Sequence, residues 1–296
     1  MIKYSELTEK VYQNLEEALV IVGRKPYPKF GHVVIMAGGA GSGKGFVKDK
    51  LIPIDGYNFD VDELKKMVAK SPKIREKVKR ETGEDLEVLS KNLKNPENVS
   101  KLHHIVSTEL AIDERKKEAF MTSVMAAHPD RKPNIIFDVT LSTLTKLNTL
   151  TQQVKAIGYK PENIHIVWII NDIHVAKQQN QSRDRVVPEE ILVNTHKGVS
   201  ATMQDVLNMG KGLTKYMDGD IVFAFNKVYV DSDVTMSGNK TNSPVIASKA
   251  KSKGLYIKRA NYFYVKKAGK PVLTVSALDK SIREKIRSYV PKSMNW

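Results

Sequence analysis

The sequence predicts an α/β fold: a mostly parallel sheet with helices on both faces. Two observations predict it. Short apolar runs alternate with longer segments whose apolar residues recur at helical spacing. The runs are nearly continuous, as in "HVVIM" (32–36), "NIIF" (134–137) and "NIHIVWII" (163–170). Continuous apolar runs between turn residues are the pattern of parallel strands buried on both faces.

The elements follow in order. Leu7, Val11, Leu15, Ala18 and Val22 recur at helical spacing between Ser5, a start signal, and Gly23, a stop. "RKPYPKF" is a rigid connector before the first strand, 32–36. A helix is expected from Lys44 to about Leu51. "GYNFDVDELKKMV" (56–68) reads as a second strand running into a helix. Residues 70–130 read as a highly charged helical insertion. "KPNIIFDVTLS" (132–142) holds the third strand. Leu141, Leu144, Leu147, Leu150, Val154 and Ile157 then share one helical face, which Gly158 ends. The fourth strand is 163–170. Pro188 opens a helix running to about Met209. "DIVFAFNKVYV" (220–230) is one long strand or two short ones. Residues 231–254, rich in Ser, Lys, Asn and Gly, read as a linker. A hairpin over 255–275 and a helix around 277–289 follow. The division expected is a core of 1–230 and a basic C-terminal appendage of 231–296.

The chain of 296 residues has no cysteine, which excludes disulfides and thiolate metal sites. No apolar window approaches the ~18 residues of a membrane span. "MIKYSELTEK" lacks the apolar run of a secretion signal. The expectation is a cytoplasmic protein with no membrane partner. The formal charge of +15 favours polyanionic partners such as nucleotides or nucleic acid.

"AGGAGSGKGF" (37–46) follows the first strand directly. It matches the phosphate-loop pattern G-x-x-x-x-G-K-[ST] except at its last position. Gly38, Gly39, Ala40, Gly41, Ser42 and Gly43 lead to Lys44, and Gly45 stands where a hydroxyl is usual. Glycines let backbone N–H groups approach phosphate oxygens, and a helix starting at Lys44 adds its positive end. Lys44 can reach the β- and γ-phosphates of ATP or GTP. The missing hydroxyl would have served Mg²⁺. Because Mg²⁺ readily keeps waters, a modified but working site is expected.

"FDVDELK" places Asp60, Asp62 and Lys65 where a strand becomes a helix, at the crevice end of the sheet. A carboxylate there can take a proton from an attacking hydroxyl, and a lysine one turn on can bind a substrate phosphate. Either aspartate can equally cap the helix. "NIIFD" ends in Asp138, which can hold Mg²⁺ through water. Thr140 follows at the next strand-to-helix turn, as a site hydroxyl or as another cap.

Together, "GGAGSGKG", "DVDELK", "NIIFDVTL" and "YKPENIHIVWII" resemble the zeta-toxin branch of P-loop kinases and, more loosely, the 5′-polynucleotide kinases. The resemblance covers roughly 30–230. It implies a P-loop NTPase-type fold and a phosphotransferase, with Asp62 as catalytic base, Lys65 anchoring substrate, and Asp60 and Thr140 on the substrate side. It also implies a lid, matched by "NQSRDRVVPEEI", whose Arg183 and Arg185 would stabilise the transferring phosphoryl group. Gly45, Asp138 in place of a more usual Glu, and the insertion depart from the pattern. Proteins of this look are often phage-encoded, which would place the chain in a host cytoplasm.

Residues 249–270 carry eight Lys or Arg and no acid. Lys258, Arg259, Lys266 and Lys267 interleave with Tyr262 and Tyr264, as single-stranded nucleic acid is held by charge and stacking. A hairpin with aromatics in its core and lysines in water has the same pattern. Two functions therefore follow from sequence. One is a kinase acting on a hydroxyl of a nucleotide-like or nucleic-acid acceptor. The other is a nucleic-acid-binding structural or packaging-associated protein whose loop binds nucleotide without turnover.

Overall fold

The computed structural model describes residues 30–52, 54, 56–60, 68–226, 257–292, 294 and 296. The helix expected over 5–22, Asp62, Lys65 and the 231–254 linker lie outside the described residues.

Six strands form one sheet: β1 (Val33–Ala37), β2 (Tyr57–Asp60), β3 (Ile135–Val139), β4 (Ile164–Ile170), β5 (Ile221–Asn226) and β6 (Ile257–Lys266). Their order is β2-β3-β1-β4-β5-β6. The first five are parallel and β6 runs antiparallel to β5. The P-loop NTPase-type α/β expectation is met. From β1 the chain builds first to one side, with β2 and β3, and then to the other, with β4 and β5. That reversal beside β1 is where ligands bind in such sheets, outside the strand C-terminal ends.

Strand alternation divides the apolar residues between two layers. Val33, Ile35, Phe137, Ile166, Trp168 and Phe223 face a large cluster. Helices α6 (Leu144–Ala156) and α8 (Glu189–Asn208) cover that face. Val34, Met36, Ile136, Val167 and Val222 face the other way, toward Val47 of α1 (Lys44–Leu51) and Ile52. All seven residues of β4 are buried, which is why it reads as an unbroken apolar run.

The insertion is helical, as expected: α2 (Pro72–Thr82), α3 (Leu86–Lys91), α4 (Pro96–His104), a π-helical turn at Ile105–Glu109, and α5 (Ile112–Met125). Val78, Leu86, Leu89, Leu102, Ile105 and Leu110 form its own core. Caps set its short helices: Asp85 accepts from Glu87 N–H at 2.9 Å and Asn95 from Glu97 N–H at 2.9 Å. At its end Phe120 stacks on Tyr57 of β2, centroids 3.9 Å apart.

Two expectations change. Helix α7 (Ile173–Ser182) had no counterpart in the sequence reading, although Asp172 caps it through His174 and Val175 N–H. From Ile257 on, the C-terminal segment is no separate hairpin. Strand β6 pairs with β5, and no second strand follows it among the described residues. The chain then returns through α9 (Lys280–Tyr289) to Trp296. Trp296 stacks on Trp168 at 5.1 Å and donates from its indole N–H to Ser200 Oγ at 2.6 Å. The segment assigned to an appendage thus shares the sheet and the core.

At the opposite end of the sheet from the loop, two histidines pair. The Asp220 N–H donates to His165 Nδ1 at 2.9 Å, so the proton of His165 sits on Nε2 and faces His32 Nδ1 at 3.0 Å. Burial holds His165 well below the ordinary range, with His32 and Lys266 adding to it. Burial also lowers His32, against the charge of Asp220. Both rings are neutral in the fold, whereas unfolded histidine takes up a proton near pH 6.5. Their contribution is therefore complete above about pH 6.5 and is lost as the pH falls below it. Urea unfolding at about pH 7.5 and about pH 5 checks this: the midpoint is expected to drop at the lower pH. Equal midpoints would show that the pair does not titrate on unfolding.

Candidate phosphate-binding site

The β1–α1 connection is the sequence-predicted loop. Gly43 is the N-cap of α1 at φ 89°, in the left-handed region, and no side chain caps the helix. A Cβ on Gly43 would overlap the Asn226 amide, so space as well as backbone angle requires glycine. The first-turn amides of α1 have no intrahelical acceptor and stand at the sheet's switch point. The arrangement suits an anion.

Lys44 folds back over the loop. Its Nζ donates to Gly38 O at 2.8 Å and Gly39 O at 3.3 Å, and lies 3.8 Å from Asp138 Oδ1. Asp138 ends the apolar part of β3, pairs in register with Met36 of β1, and on its other side with Asp60 of β2. Asp60 and Asp138 are thus adjacent positions at the crevice end. Asp62 and Lys65, two and five residues beyond Asp60, are outside the described residues. Thr140 is half-buried just after β3. The cap of α6 is Thr143, whose Oγ1 accepts from Lys146 N–H at 3.2 Å, so Thr140 is not that helix's cap.

Ser42 turns its hydroxyl inward under the loop. Its Oγ is buried without a hydrogen-bond partner. At Gly45 an added Cβ meets nothing within 4 Å. Gly45→Ser is therefore expected to fold normally, to keep or raise phosphotransfer, and to bind Mg²⁺ more tightly, read as a lower Mg²⁺ midpoint for activity. A folded but inactive Gly45→Ser protein would show that a ligand needs the bare backbone there.

Arg183 and Arg185 lie between α7 and α8. Asn180 closes that loop at its base: Nδ2 donates to Val187 O at 2.6 Å and Oδ1 accepts from Val187 N–H at 2.9 Å. Arg183 is exposed and Arg185 half-buried. The Val186 N–H donates to Leu93 O at 2.8 Å, which ties the arginine loop to the insertion.

Four residues of this site escaped the sequence reading. Asn171 Nδ2 donates to Gly41 O at 2.9 Å, and Asn226 Nδ2 donates to Ser42 O. His196 bonds through Nε2 to Ala40 O at 2.8 Å, and Thr195 Oγ1 accepts from Ala40 N–H at 3.2 Å. Burial, with Lys44 nearby, pushes His196 down to about 4, against the bond to Ala40 O. The signals present were polar residues closing two apolar strands ("WIIN", "FAFN") and a histidine inside the buried stripe of α8.

The basic strand is partly spoken for. Lys266 is buried; its Nζ meets Asp218 Oδ1 at 2.6 Å and donates to the carbonyls of Asp218, Lys267 and Lys270. That ammonium is a structural clip at the end of β6, which corrects its assignment to nucleic acid. Tyr264 is half-buried against the α1-side core, and the exposed Lys267 lies over its ring at 5.3 Å. Lys258, Arg259 and Tyr262 stand on β6, with side chains outside the described set. Among the described residues no three His, Asp or Glu side chains group as a metal site, and no helix is long and apolar enough to cross a membrane.

The fold is of the P-loop NTPase type. Neither a family model nor a curated protein matches the chain. Among solved structures, the crystal structure of AvrRxo1-ORF1:-ORF2 with ATP superposes at TM-score 0.51 and 14% identity, covering 98% of this chain and 74% of that one. A chain from the PezAT chromosomal toxin–antitoxin system of Streptococcus pneumoniae superposes at TM-score 0.42 and 13% identity, covering 76% and 79%. The first likeness is one of fold.

Proposed function

We propose that this chain is a nucleotide-dependent phosphotransferase that moves the γ-phosphoryl of ATP or GTP to a hydroxyl of a nucleotide-like or nucleic-acid acceptor. The observation that carries it is Lys44 at an uncapped helix start, beside Asp138 at the sheet's switch point. The AvrRxo1-ORF1:-ORF2 structure of like fold contains ATP, which supports a nucleotide here.

The residues present fit a triphosphate with Mg²⁺. At Gly39, Gly41 and Gly43 a Cβ would collide with the His196 ring, the Ala176 carbonyl and the Asn226 amide, so the loop takes this close-packed course only with glycine there. Asp138, with Asp60 in register, supplies carboxylate oxygens for the cation, the donor type Mg²⁺ takes. Bound Mg²⁺ would supply charge neutralisation at the phosphates. Lys44 would leave the Gly38 and Gly39 carbonyls for the β/γ-phosphate oxygens. Asp62 would take the proton from the acceptor hydroxyl, and Arg183 and Arg185 would offset charge on the transferring group. Lys65, Asp60 and Thr140 would orient the acceptor.

The test is transfer of label from γ-labelled ATP or GTP, with Mg²⁺, onto nucleotides, nucleotide sugars or oligonucleotides, the product identified by mass. Labelled acceptor is expected with the wild type and not with Lys44→Ala. Tight nucleotide binding with no transfer to any acceptor would sink the enzyme reading and favour a nucleic-acid-binding protein with a static loop. The acid-free segment 249–270 supports that second reading. If it binds single strands, replacing Lys258, Arg259 and Lys267 by Ser should flatten the salt dependence by roughly 0.7 for each phosphate no longer neutralised.

A further inference from the structure

We infer that Thr195 and His196 are positioning residues that couple the phosphate loop to the arginine-bearing loop through α8. The inference rests on the phosphotransferase reading and adds to it how the two halves of the site communicate.

The three central carbonyls of the loop are each held by a side-chain donor. Ala40 O receives His196 Nε2–H, Gly41 O receives Asn171 Nδ2 and Ser42 O receives Asn226 Nδ2. Because a carbonyl only accepts, His196 must carry its proton on Nε2. These three bonds fix the course of the loop backbone ahead of α1.

These donors are not mechanically alike. Asn171 directly follows β4 and Asn226 ends β5, strands that are fixed in the sheet. Thr195 and His196 sit on α8, about 10 Å along it at 1.5 Å per residue. There they grip both polar atoms of one residue: Thr195 takes the Ala40 N–H while His196 gives to the Ala40 carbonyl. Thr195 donates its own hydroxyl to Leu192 O at 2.7 Å, so its lone pairs are left for Ala40. The His196 ring also fills the space that a Cβ on Gly39 would need.

The start of α8 is the base of the arginine loop. Pro188 is its N-cap, next to the Asn180–Val187 clasp, and Lys177 of α7 pairs with Glu189 at 2.6 Å. One helix thus carries the arginine loop at its start and the grip on the phosphate loop two turns later. A shift of Ala40 on phosphate binding moves the base of Arg183 and Arg185, and a shift of that loop moves Ala40.

The test uses the full chain with ATP and Mg²⁺ and two readouts: affinity by calorimetry, and tryptic cleavage at Arg183, which is exposed without ligand. His196→Gln keeps an N–H near the position of Nε2, His196→Leu removes it, and Thr195→Val removes the hydroxyl at constant shape. In the wild type and His196→Gln, saturating ATP is expected to slow cleavage at Arg183. In His196→Leu and Thr195→Val, ATP should bind up to about tenfold more weakly, the size of one hydrogen bond. At saturation it should no longer protect Arg183. Full protection in a folded His196→Leu or Thr195→Val protein would overturn the coupling, as would wild-type binding without protection. Should His196→Leu fail to fold, Thr195→Val decides alone. A wild type that binds no ATP would instead remove the phosphotransferase reading, and calorimetry shows that separately.

Discussion

Lys44→Ala is expected to weaken ATP binding by about 10–100-fold and to abolish measurable transfer. The ammonium rests on two loop carbonyls and near one carboxylate, an arrangement ready to exchange for phosphate oxygens. A hydrogen bond from a charged donor contributes about 1.5–3 kcal/mol, which sets the loss in affinity. The loss in rate is larger, because charge on the phosphoryl oxygens grows toward the transition state; removing one such donor costs about 10²–10³ in turnover. Calorimetry and single-turnover transfer measure the two losses separately. Lys44→Arg keeps the charge but brings a planar fork in place of a point charge, and is expected to recover binding better than rate. Unchanged ATP affinity in Lys44→Ala would mean that the loop is a turn between a strand and a helix and nothing more. The variant itself should fold, since Lys44 is partly exposed and fills no core position.

Local chemistry explains which parts of this site were legible in the sequence. An apolar run followed by glycines and a lysine fixes a strand, a tight turn and a helix start over about 20 residues, and β1 and α1 appear where expected. Asp60 and Asp138 were legible because each ends an apolar run. Their pairing in register was not, because it depends on β3 inserting between β2 and β1. The donors to the loop carbonyls were hidden for the same reason. His196 is 156 residues from Ala40, and Asn226 is 184 from Ser42. Nothing in the spacing of "NTHKG" or "FAFNK" shows which carbonyl each will meet. In α8 the histidine follows Leu192 and precedes Val199 and Met203, so periodicity registers only a buried face. Lys266 misled in the opposite direction. In an acid-free run it reads as surface charge, yet its counter-ion Asp218 is 48 residues upstream, placed beside it by the β5–β6 pairing. Composition alone does not distinguish a solvated lysine from one caged by distant oxygens. Strand alternation predicts β6 but names no partner: the nearest segment in sequence suggests a hairpin, whereas the strand pairs with β5.

Asp62→Asn is expected to lower turnover by about 10²–10⁴ with ATP affinity nearly intact. Asparagine keeps the size of the side chain and loses the proton acceptor, which is the loss that general-base catalysis registers. The prediction rests on chain direction and spacing. Strand β2 ends at Asp60, in register with Asp138, which lies 3.8 Å from the Lys44 ammonium, and Asp62 is two residues further on in the sequence. Asp60 and Asp62 are two residues apart in the sequence, and the experiment must separate them. If Asp62 takes the proton, the pH–rate profile of Asp62→Asn loses its acidic limb, since that limb reports the base becoming deprotonated. Asp60→Asn should retain the limb and act mainly on acceptor KM or on the Mg²⁺ requirement, because its strand neighbour is the carboxylate beside Lys44. Normal turnover in Asp62→Asn with a dead Asp60→Asn would move the base to the strand itself, directly beside Asp138.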